Sequence, residues 1–366
     1  MGLKCGIVGL PNVGKSTLFN ALSNAGAEVA NFPFCTIDQN IGIIPVQDER
    51  LYKIAELAKP EKVTPASLEI VDIAGLVKGA SEGKGRGNAF LANIREVDLI
   101  LHVVRCFEDE NVMHVEGSND ALRDIRIIED ELILKDLETI EKREQRLSTQ
   151  AKSGDKATIE ELNLIKELRE FVEKGNKVSK FPTDKDTEKV IKELFLLTTK
   201  PILYVCNVSE NDIPDASGNS EVQRVKEYAE GEGSDVIVVC AEIEAEIAEL
   251  DQEDKDIFLN ELGLETSSLD KLLHTAYQEL GLITFFTYNE KEVRAWTIKS
   301  GTKAPQAAGE IHSDFERGFI RAETIKYEDF VAYGSEAAVR EAGKMRSEGK
   351  DYVVRDGDII LFRFNV

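Results

Sequence analysis

The sequence predicts an α/β fold, a sheet with crossover helices, interrupted by an α-helical hairpin and followed by a small β-grasp sheet. Three observations predict it. Residues 1–120 alternate β-rich runs, at 3–8, 41–45, 67–72 and 99–104, with helical or glycine-rich stretches. Residues 121–200 are dominated by charges and helix formers, with apolar residues recurring at three and four. From 201 the α/β pattern resumes, and from 281 a hairpin, a helix and further strands follow one another.

The helical stretch reads as two long antiparallel helices. One apolar stripe is Ile133, Leu137, Ile140 and Leu147; the other is Leu162, Ile165, Leu168 and Val172; Ser153-Gly154-Asp155 between them is a turn. The stripes are narrow and their flanks strongly charged, which favours a hairpin projecting from the sheet over a pair of ordinary surface helices. Strands at 202–206 and 236–239 and a helix at 269–280 then continue the sheet, so the hairpin is an insertion and not a linker. The expected organisation is a nucleotide-binding region of 1–120 and 201–280, a helical insertion of 121–200, and a third region of 281–366. In that last region, strands at 282–288 and 292–298 turn around Asn289-Glu290-Lys291. A helix at 303–311 and strands at 318–324 and 359–364 follow.

With 366 residues, 42% of them apolar, the chain is long enough for two or three domains with a core. Its net charge of −23 argues against loose binding to nucleic acid through bulk charge. Five cysteines, Cys5, Cys35, Cys106, Cys206 and Cys240, show neither metal-ligand spacing nor a disulfide framework, and read as reduced thiols. Met1-Gly2-Leu3-Lys4-Cys5-Gly6 enters a strand at once, and no apolar run is long enough to span a bilayer, so the cytoplasm is expected and a membrane is not.

The chemistry begins at Gly9-Leu10-Pro11-Asn12-Val13-Gly14-Lys15-Ser16, which follows one apolar strand and opens one helix. Glycines let the backbone N–H groups of such a loop, through Asn12, Val13 and Gly14, turn onto phosphates, and the helix N-terminus adds partial positive charge beneath them. Lys15 should reach the β- and γ-phosphates, the Ser16 hydroxyl should ligate Mg²⁺, and Thr17 should touch the α-phosphate. Asp72-Ile73-Ala74-Gly75 ends the next β-rich run: Asp72 can hold a Mg²⁺-bound water, and Gly75 can offer its N–H to the γ-phosphate. Thr36, in Asn31-Phe32-Pro33-Phe34-Cys35-Thr36, is the candidate second Mg²⁺ ligand. The segment after Gly75, with Gly79, Gly83, Gly85 and Gly87 beside Lys78, Lys84 and Arg86, reads as a second switch.

The base-reading segment departs from the GTPase pattern Asn-Lys-x-Asp. Here it is Asn207-Val208-Ser209-Glu210. Asn207 retains the purine N7 edge, Val208 replaces the lysine, and the Glu210 carboxylate sits one methylene, about 1.5 Å, out of place for the guanine fork. A site built to pair guanine rejects other bases strongly, so losing the fork relaxes or inverts the preference. A last base-contact loop is expected at Cys240-Ala241-Glu242.

These residues identify a resemblance. GLPNVGKST, NFPFCTID, DIAGLVKGASEGKGRGNAFL, NVSE, the run Val112-Met113-His114-Val115-Glu116-Gly117 and the stretch Gly309-Glu310-Ile311-His312-Ser313-Asp314-Phe315 resemble the YchF-type branch of the Obg-like ATPases, TRAFAC-class P-loop NTPases, over nearly the whole chain. The resemblance implies a Ras-like nucleotide domain, an inserted α-helical coiled-coil domain and a β-grasp TGS domain. It further implies ATP preferred over GTP, Mg²⁺ dependence, and association with ribosomes, as large subunit or 70S-type particle, and with RNA. Leu76 stands where Ras-like enzymes place a water-orienting Gln, and the branch points instead to the loop histidine matching His114. Lys15 and Gly75 complete the implied catalytic set. Asn12 occupies the position that holds K⁺ in some related proteins. His102, in a strand, reads as a hydrogen-bonded core residue. Beside the leading reading of an ATP-hydrolysing switch stand a GTPase of the same fold and a nucleotide-stabilised scaffold with incidental hydrolysis. Residues 281–366 carry 13 basic and 14 acidic side chains, so any RNA contact must use a local basic face.

Overall fold

The computed structural model describes residues 3–29, 41–73, 91, 93–109 and 118–365. Two compact units divide them: one takes the N-terminal segment to 28 together with 69–271, the other gathers 43–68 with 272–366.

One six-stranded sheet comprises β1 (Lys4–Val8), β2 (Ile41–Val46), β4 (Ala66–Asp72), β5 (Leu99–Arg105), β6 (Ile202–Asn207) and β7 (Val236–Val239), in the order β2-β4-β1-β5-β6-β7. The pairings of β1 with β4 and β5, of β5 with β6 and of β6 with β7 are parallel. Parallel strands are covered on both faces, which is why every residue of β5 and of β6 is buried and these strands are mostly apolar, His102, Arg105 and Asn207 excepted. The order reverses at β1, and the loop after β1 lies at the carboxyl edge, where open α/β sheets bind ligands.

The helical region begins at Ala121, as the sequence suggests. Asp120 caps a 30-residue helix, Ala121–Gln150, by accepting the Arg123 N–H. Gly154, at φ 81°, turns the chain, and Asp155 caps the second helix, Lys156–Glu173, through Thr158. Ile133, Ile140 and Leu147, seven residues apart, form one buried cluster with Leu162, Ile165, Leu168 and Val172. Leu137 packs against it. The expected hairpin starts later than Ala121, however. Ala121, Ile125, Ile128 and Leu132 are buried on the first turns of the long helix, which packs there against β5 and against the helix Ser220–Glu232. Those turns are ordinary crossover helix, and only the part from Ile133 onward makes its own core. Buried Asp136 fastens the far side by accepting the N–H groups of Leu197 and Thr198 at 2.6 and 2.8 Å. A third helix, Lys185–Glu193, capped by Asp184, was not legible in the pattern because its nine residues are almost all polar.

The second unit holds a mixed sheet of β3 (Lys62–Thr64), β8 (Leu282–Tyr288), β9 (Glu292–Lys299), β10 (Phe319–Lys326), β11 (Arg346–Glu348) and β12 (Asp358–Phe364), in the order β11-β10-β12-β8-β9-β3. β8 and β9 form the expected hairpin, the helix Ala304–Ile311 follows, and β12 returns parallel to β8. Within the second unit, β3 pairs with β9, and the helix Glu49–Ala58 buries Leu51 and Ile54 against Phe286, Val293, Phe330 and Ile359. Arg50 on that helix pairs with Asp356 at 2.7 Å. Nothing in the local pattern of 49–58 says which sheet its apolar face covers.

Candidate functional site

The loop after β1 is shaped by its backbone. Gly14 sits at φ +98°, and Asn12 at φ 63° is one of three described non-glycine residues with positive φ. A Cβ on Gly14 would lie 2.2 Å from Nδ2 of Asn207, so only glycine fits where the two segments meet. Val13, 1% exposed, roots the loop in the core. The helix Lys15–Val29 starts immediately, with Leu18 N–H donating to the Gly14 carbonyl at 2.9 Å. The side chains of Ser16 and Thr17 on its first turn are exposed, whereas Lys15 is 8% exposed.

Lys15 Nζ donates to the Leu10 carbonyl at 2.7 Å, across the loop it belongs to. Burial lowers its pKa to about 8, with Asp72 opposing that shift. Asp72 ends β4 opposite Ile7, and the next residue, Ile73, donates its N–H to the Ile7 carbonyl at 3.2 Å. Burial raises the Asp72 carboxyl and the Lys15 charge lowers it. Its Oδ1 is buried without a hydrogen-bond partner, an arrangement a protein tolerates where a ligand completes the set. Among the described residues no three His, Cys, Asp or Glu side chains cluster as a metal cage. One carboxylate oxygen and one hydroxyl beside a phosphate loop instead fit Mg²⁺, which keeps waters and substrate oxygens in its shell.

On the base side, Asn207 ends β6 and is 5% exposed. Its Nδ2 donates to the Val13 carbonyl at 3.0 Å, and its Oδ1 accepts the Ala241 N–H at 3.0 Å. The side chain read from the sequence as a base contact thus also ties the phosphate loop to the segment Cys240-Ala241, a role the motif alone does not disclose. Val208 is 3% exposed, its N–H donating to Val239, so its side chain belongs to the core. Glu210 is exposed at the start of a short 3₁₀ turn, Glu210–Asp212, and its charge reaches the Cys240 thiol, which burial pushes up. The structure therefore brings Asn12, Val13, Gly14, Lys15, Asn207 and Ala241 into one constellation, with Asp72 near Lys15 and Glu210 near Cys240. Thr36, Gly75, Leu76 and His114, together with the expected second switch, lie outside the described residues.

Two arginines that sequence reasoning passed over brace the chain on either side of 110–117. Buried Arg105 donates to the Phe107 and Asp109 carbonyls at 3.2 and 3.3 Å and stacks on Phe107 at 4.5 Å. Arg123 donates to the Ser118 carbonyl at 2.6 Å. His102 is buried as expected, but its Nδ1 has no hydrogen-bond partner. Its ring lies 5.7 Å from that of Tyr204, and burial depresses its pKa to about 3, so it is a neutral core residue and not an acid–base group. Cys5, Cys106, Cys206 and Cys240 are buried and unpaired by disulfides; Cys35 lies outside the described residues.

Comparison with known proteins gives this arrangement relatives. Residues 4–150 match the family described as a 50S ribosome-binding GTPase, and residues 282–365 match a YchF-GTPase C-terminal family described as a protein of unknown function. The chain is 57% identical over 366 residues, all of both chains, to the Bacillus subtilis protein named ribosome-binding ATPase YchF. It is 52% identical, again over the whole of both, to the protein of that name from Escherichia coli O157:H7. The solved structure of the Schizosaccharomyces pombe YchF GTPase superposes with a TM-score of 0.89 at 40% identity, covering 99% of this chain and 98% of that one.

Proposed function

This chain belongs to the YchF family, and from that premise we propose that it hydrolyses ATP to ADP and phosphate and binds the ribosome, its nucleotide state governing that association in the cytoplasm. The observation that carries the reading is that buried Lys15 and the unpartnered Oδ1 of Asp72, each feeling the other's charge, stand at a loop whose backbone only Gly14 allows. In this reading the chain is an Obg-like ATPase of the YchF-type branch. Its first unit is the Ras-like domain carrying an inserted coiled-coil hairpin, and its second contains a β-grasp TGS domain.

Ser16, Thr36 and Asp72 would hold Mg²⁺, which supplies charge neutralisation at the β- and γ-phosphate oxygens. Lys15, released from the Leu10 carbonyl, takes a phosphate oxygen in its place, and the N–H groups of Asn12, Val13 and Gly14 cradle the phosphates. Gly75 donates its N–H to the γ-phosphate. His114 orients the water whose oxygen attacks phosphorus as ADP leaves. Leu76 has no polar atom to do that work, and it is the resemblance to the YchF-type branch that assigns it to His114. The braces by Arg105 and Arg123 hold the two ends of the segment that carries His114. Asn12 is also the residue that would hold K⁺.

For the base, ATP is favoured over GTP. Val208 is in the core and presents no lysine stem, and Glu210 is one methylene too long for the guanine fork. The remaining N–H of Asn207 and the loop Cys240-Ala241 complete the base contacts. Titration calorimetry with ATP and GTP, with and without ribosomes, tests the whole reading. ATP binding at least as tightly as GTP, and turnover rising on addition of ribosomes, is the expected result. Tenfold tighter GTP promotes the GTPase reading, and turnover indifferent to every partner promotes the scaffold.

A further inference from the structure

The residue that caps the helix Ser220–Glu232 does more than cap it. Asn219 Oδ1 accepts the N–H groups of Glu221 and Val222 at 3.1 and 3.2 Å, which satisfies two of the free donors at that helix start. Serine or aspartate would serve a cap as well. The amide nitrogen is a second function on the same side chain. Its Nδ2 donates to the Cys106 carbonyl at 2.7 Å and to Asp212 Oδ2 at 3.3 Å. A side-chain amide has two N–H donors and one oxygen with two lone pairs, so all four bonding positions of Asn219 are occupied.

Both partners of Nδ2 adjoin the base side of the nucleotide site. Cys106 is buried directly after the last residue of β5, and its N–H donates to the Asn207 carbonyl at 2.8 Å. Asp212 ends the 3₁₀ turn that begins at Glu210. Its Oδ2 also accepts the Ser209 hydroxyl at 2.8 Å, and its N–H donates to the Ser209 carbonyl at 3.1 Å. These bonds close a ring: Asn207 to Cys106, Cys106 to Asn219, Asn219 to Asp212, Asp212 to Ser209, and Ser209 back along the chain to Asn207. The Asn207 side chain is held independently by Val13 and Ala241, so the restraint that the ring adds falls on the arm Ser209–Asp212, which carries Glu210. The helix end is a firm anchor for that arm. Val222 and Val225 are buried on it, Glu221 accepts the Ala121 N–H at 2.8 Å, and Arg224 pairs with Asp120 at 3.1 Å.

We propose that Asn219 is a positioning residue for base selection: through Asp212 and Cys106 it fixes the Ser209–Asp212 turn against the end of β5, and so holds Glu210 where it discriminates adenine from guanine. The proposal rests on the ATP-preferring reading above, in which the Glu210 carboxylate is out of place for the guanine fork. A carboxylate one methylene too long excludes guanine only while its backbone cannot move to compensate. A turn free to shift by about 1.5 Å would bring the fork back into register and relax the choice of base. Asn207 cannot supply that restraint, because its amide is occupied by Val13 and Ala241 and Glu210 lies three residues further on. Asn219 can, because its two donors reach the turn and the strand end at once.

The test uses the full-length chain, with ATP and GTP affinities from titration calorimetry and a melting curve for every variant. The two nucleotides carry the same phosphates, so the ratio of their affinities isolates the base segment. Asn219→Ser keeps an oxygen for the helix cap and loses both N–H donors. Asn219→Asp keeps the cap and turns a carboxylate toward Asp212 and the Cys106 carbonyl. In each, the preference for ATP should shrink about fivefold, the worth of one or two ordinary hydrogen bonds, chiefly through tighter binding of GTP. The double variant Asn219→Asp, Asp212→Asn places the donor on the other partner, and its preference should return toward the wild-type value. A ratio unchanged in either single variant overturns the proposal. So does equal weakening of both nucleotides with a lowered melting temperature, which makes Asn219 a helix cap and nothing more. A double variant no better than Asn219→Asp overturns it as well. A wild type that binds GTP about tenfold more tightly than ATP overturns the ATP-preferring reading instead. A ratio that still moves in the single variants and returns in the double then leaves the role of Asn219 standing.

Discussion

The phosphate side and the base side of the nucleotide site are built on opposite principles. On the phosphate side the protein holds groups that are unsatisfied or under stress: a lysine buried enough to lose its proton near pH 8, a carboxylate oxygen with no partner, and two left-handed backbone positions. On the base side the key amide is committed at both ends, to Val13 and to Ala241, and Val208 is simply core. Strain held in place by its surroundings marks a ligand that will relieve it. A satisfied side chain marks a joint, and contributes to recognition through what it positions. Phosphate binding should therefore be fragile to single substitutions, and base choice should respond in small steps.

The sharpest way to break this contrast is Lys15→Ala. It removes the buried lysine of the loop, and ATP affinity should fall about a thousandfold, the upper range for truncating one partner of the buried charge pair that Lys15 would form with phosphate. Equilibrium dialysis with labelled ATP measures it, and unchanged binding would sink the phosphate-loop assignment. Next in size is His114→Ala. A residue that orients water acts in the transition state, so turnover should drop roughly 10²-fold while ATP affinity stays nearly constant. Wild-type turnover in that variant would make His114 an ordinary loop residue.

The same contrast explains what was legible in the sequence. The phosphate loop announces itself because each position demands a residue type: glycine where φ is +98°, lysine and serine at a helix start. Asp72 was legible because a strand-end acid with a glycine three residues after it follows the phosphate loop at the usual interval. The hairpin was legible from Ile133 onward, where apolar residues repeat at seven, and illegible before it, where Ala121 to Leu132 cover the sheet. The double commitment of Asn207 was not legible, because its partners Val13 and Ala241 are distant in the chain. For the same reason the local pattern of 49–64 does not disclose its place beside the C-terminal strands. The stripe of Leu51 and Ile54 says that a helix is buried, and only the pairing of β3 with β9 says on which sheet.

Base choice sharpens the comparison from the other side. Val208→Lys with Glu210→Asp should move preference toward GTP by about 1–3 kcal/mol, the value of a bidentate base contact. The structure adds a cost. Val208 is 3% exposed, so a lysine there must thread its stem out of the core, and thermal stability should fall even as specificity shifts. Calorimetry with both nucleotides, paired with a melting curve, separates the two. A preference that stays fixed would place base selection in the Cys240-Ala241 loop.

The smallest effect expected is a fraction of a proton, and it tests the phosphate side where that side is most unusual. Free Lys15 has a pKa of about 8, well below the ordinary lysine value of 10.5, because burial penalises its charge. Bound phosphates supply the missing negative partner and must raise it, so binding takes up a proton wherever free Lys15 is partly neutral. The sign is fixed by that direction: affinity is fully present below pH 8 and declines as pH rises through it, by up to roughly tenfold per unit while the bound form stays protonated. At about pH 8.5 the terminal phosphate of ATP has already lost its own proton, and uptake should be more than half a proton per site. Calorimetry in two buffers of different ionisation enthalpy reads this number directly. Proton release, or none, would mean that Lys15 keeps its charge in the free protein and that the Leu10 carbonyl and Asp72 already compensate for its burial, which would remove the lysine from the list of groups waiting for a ligand.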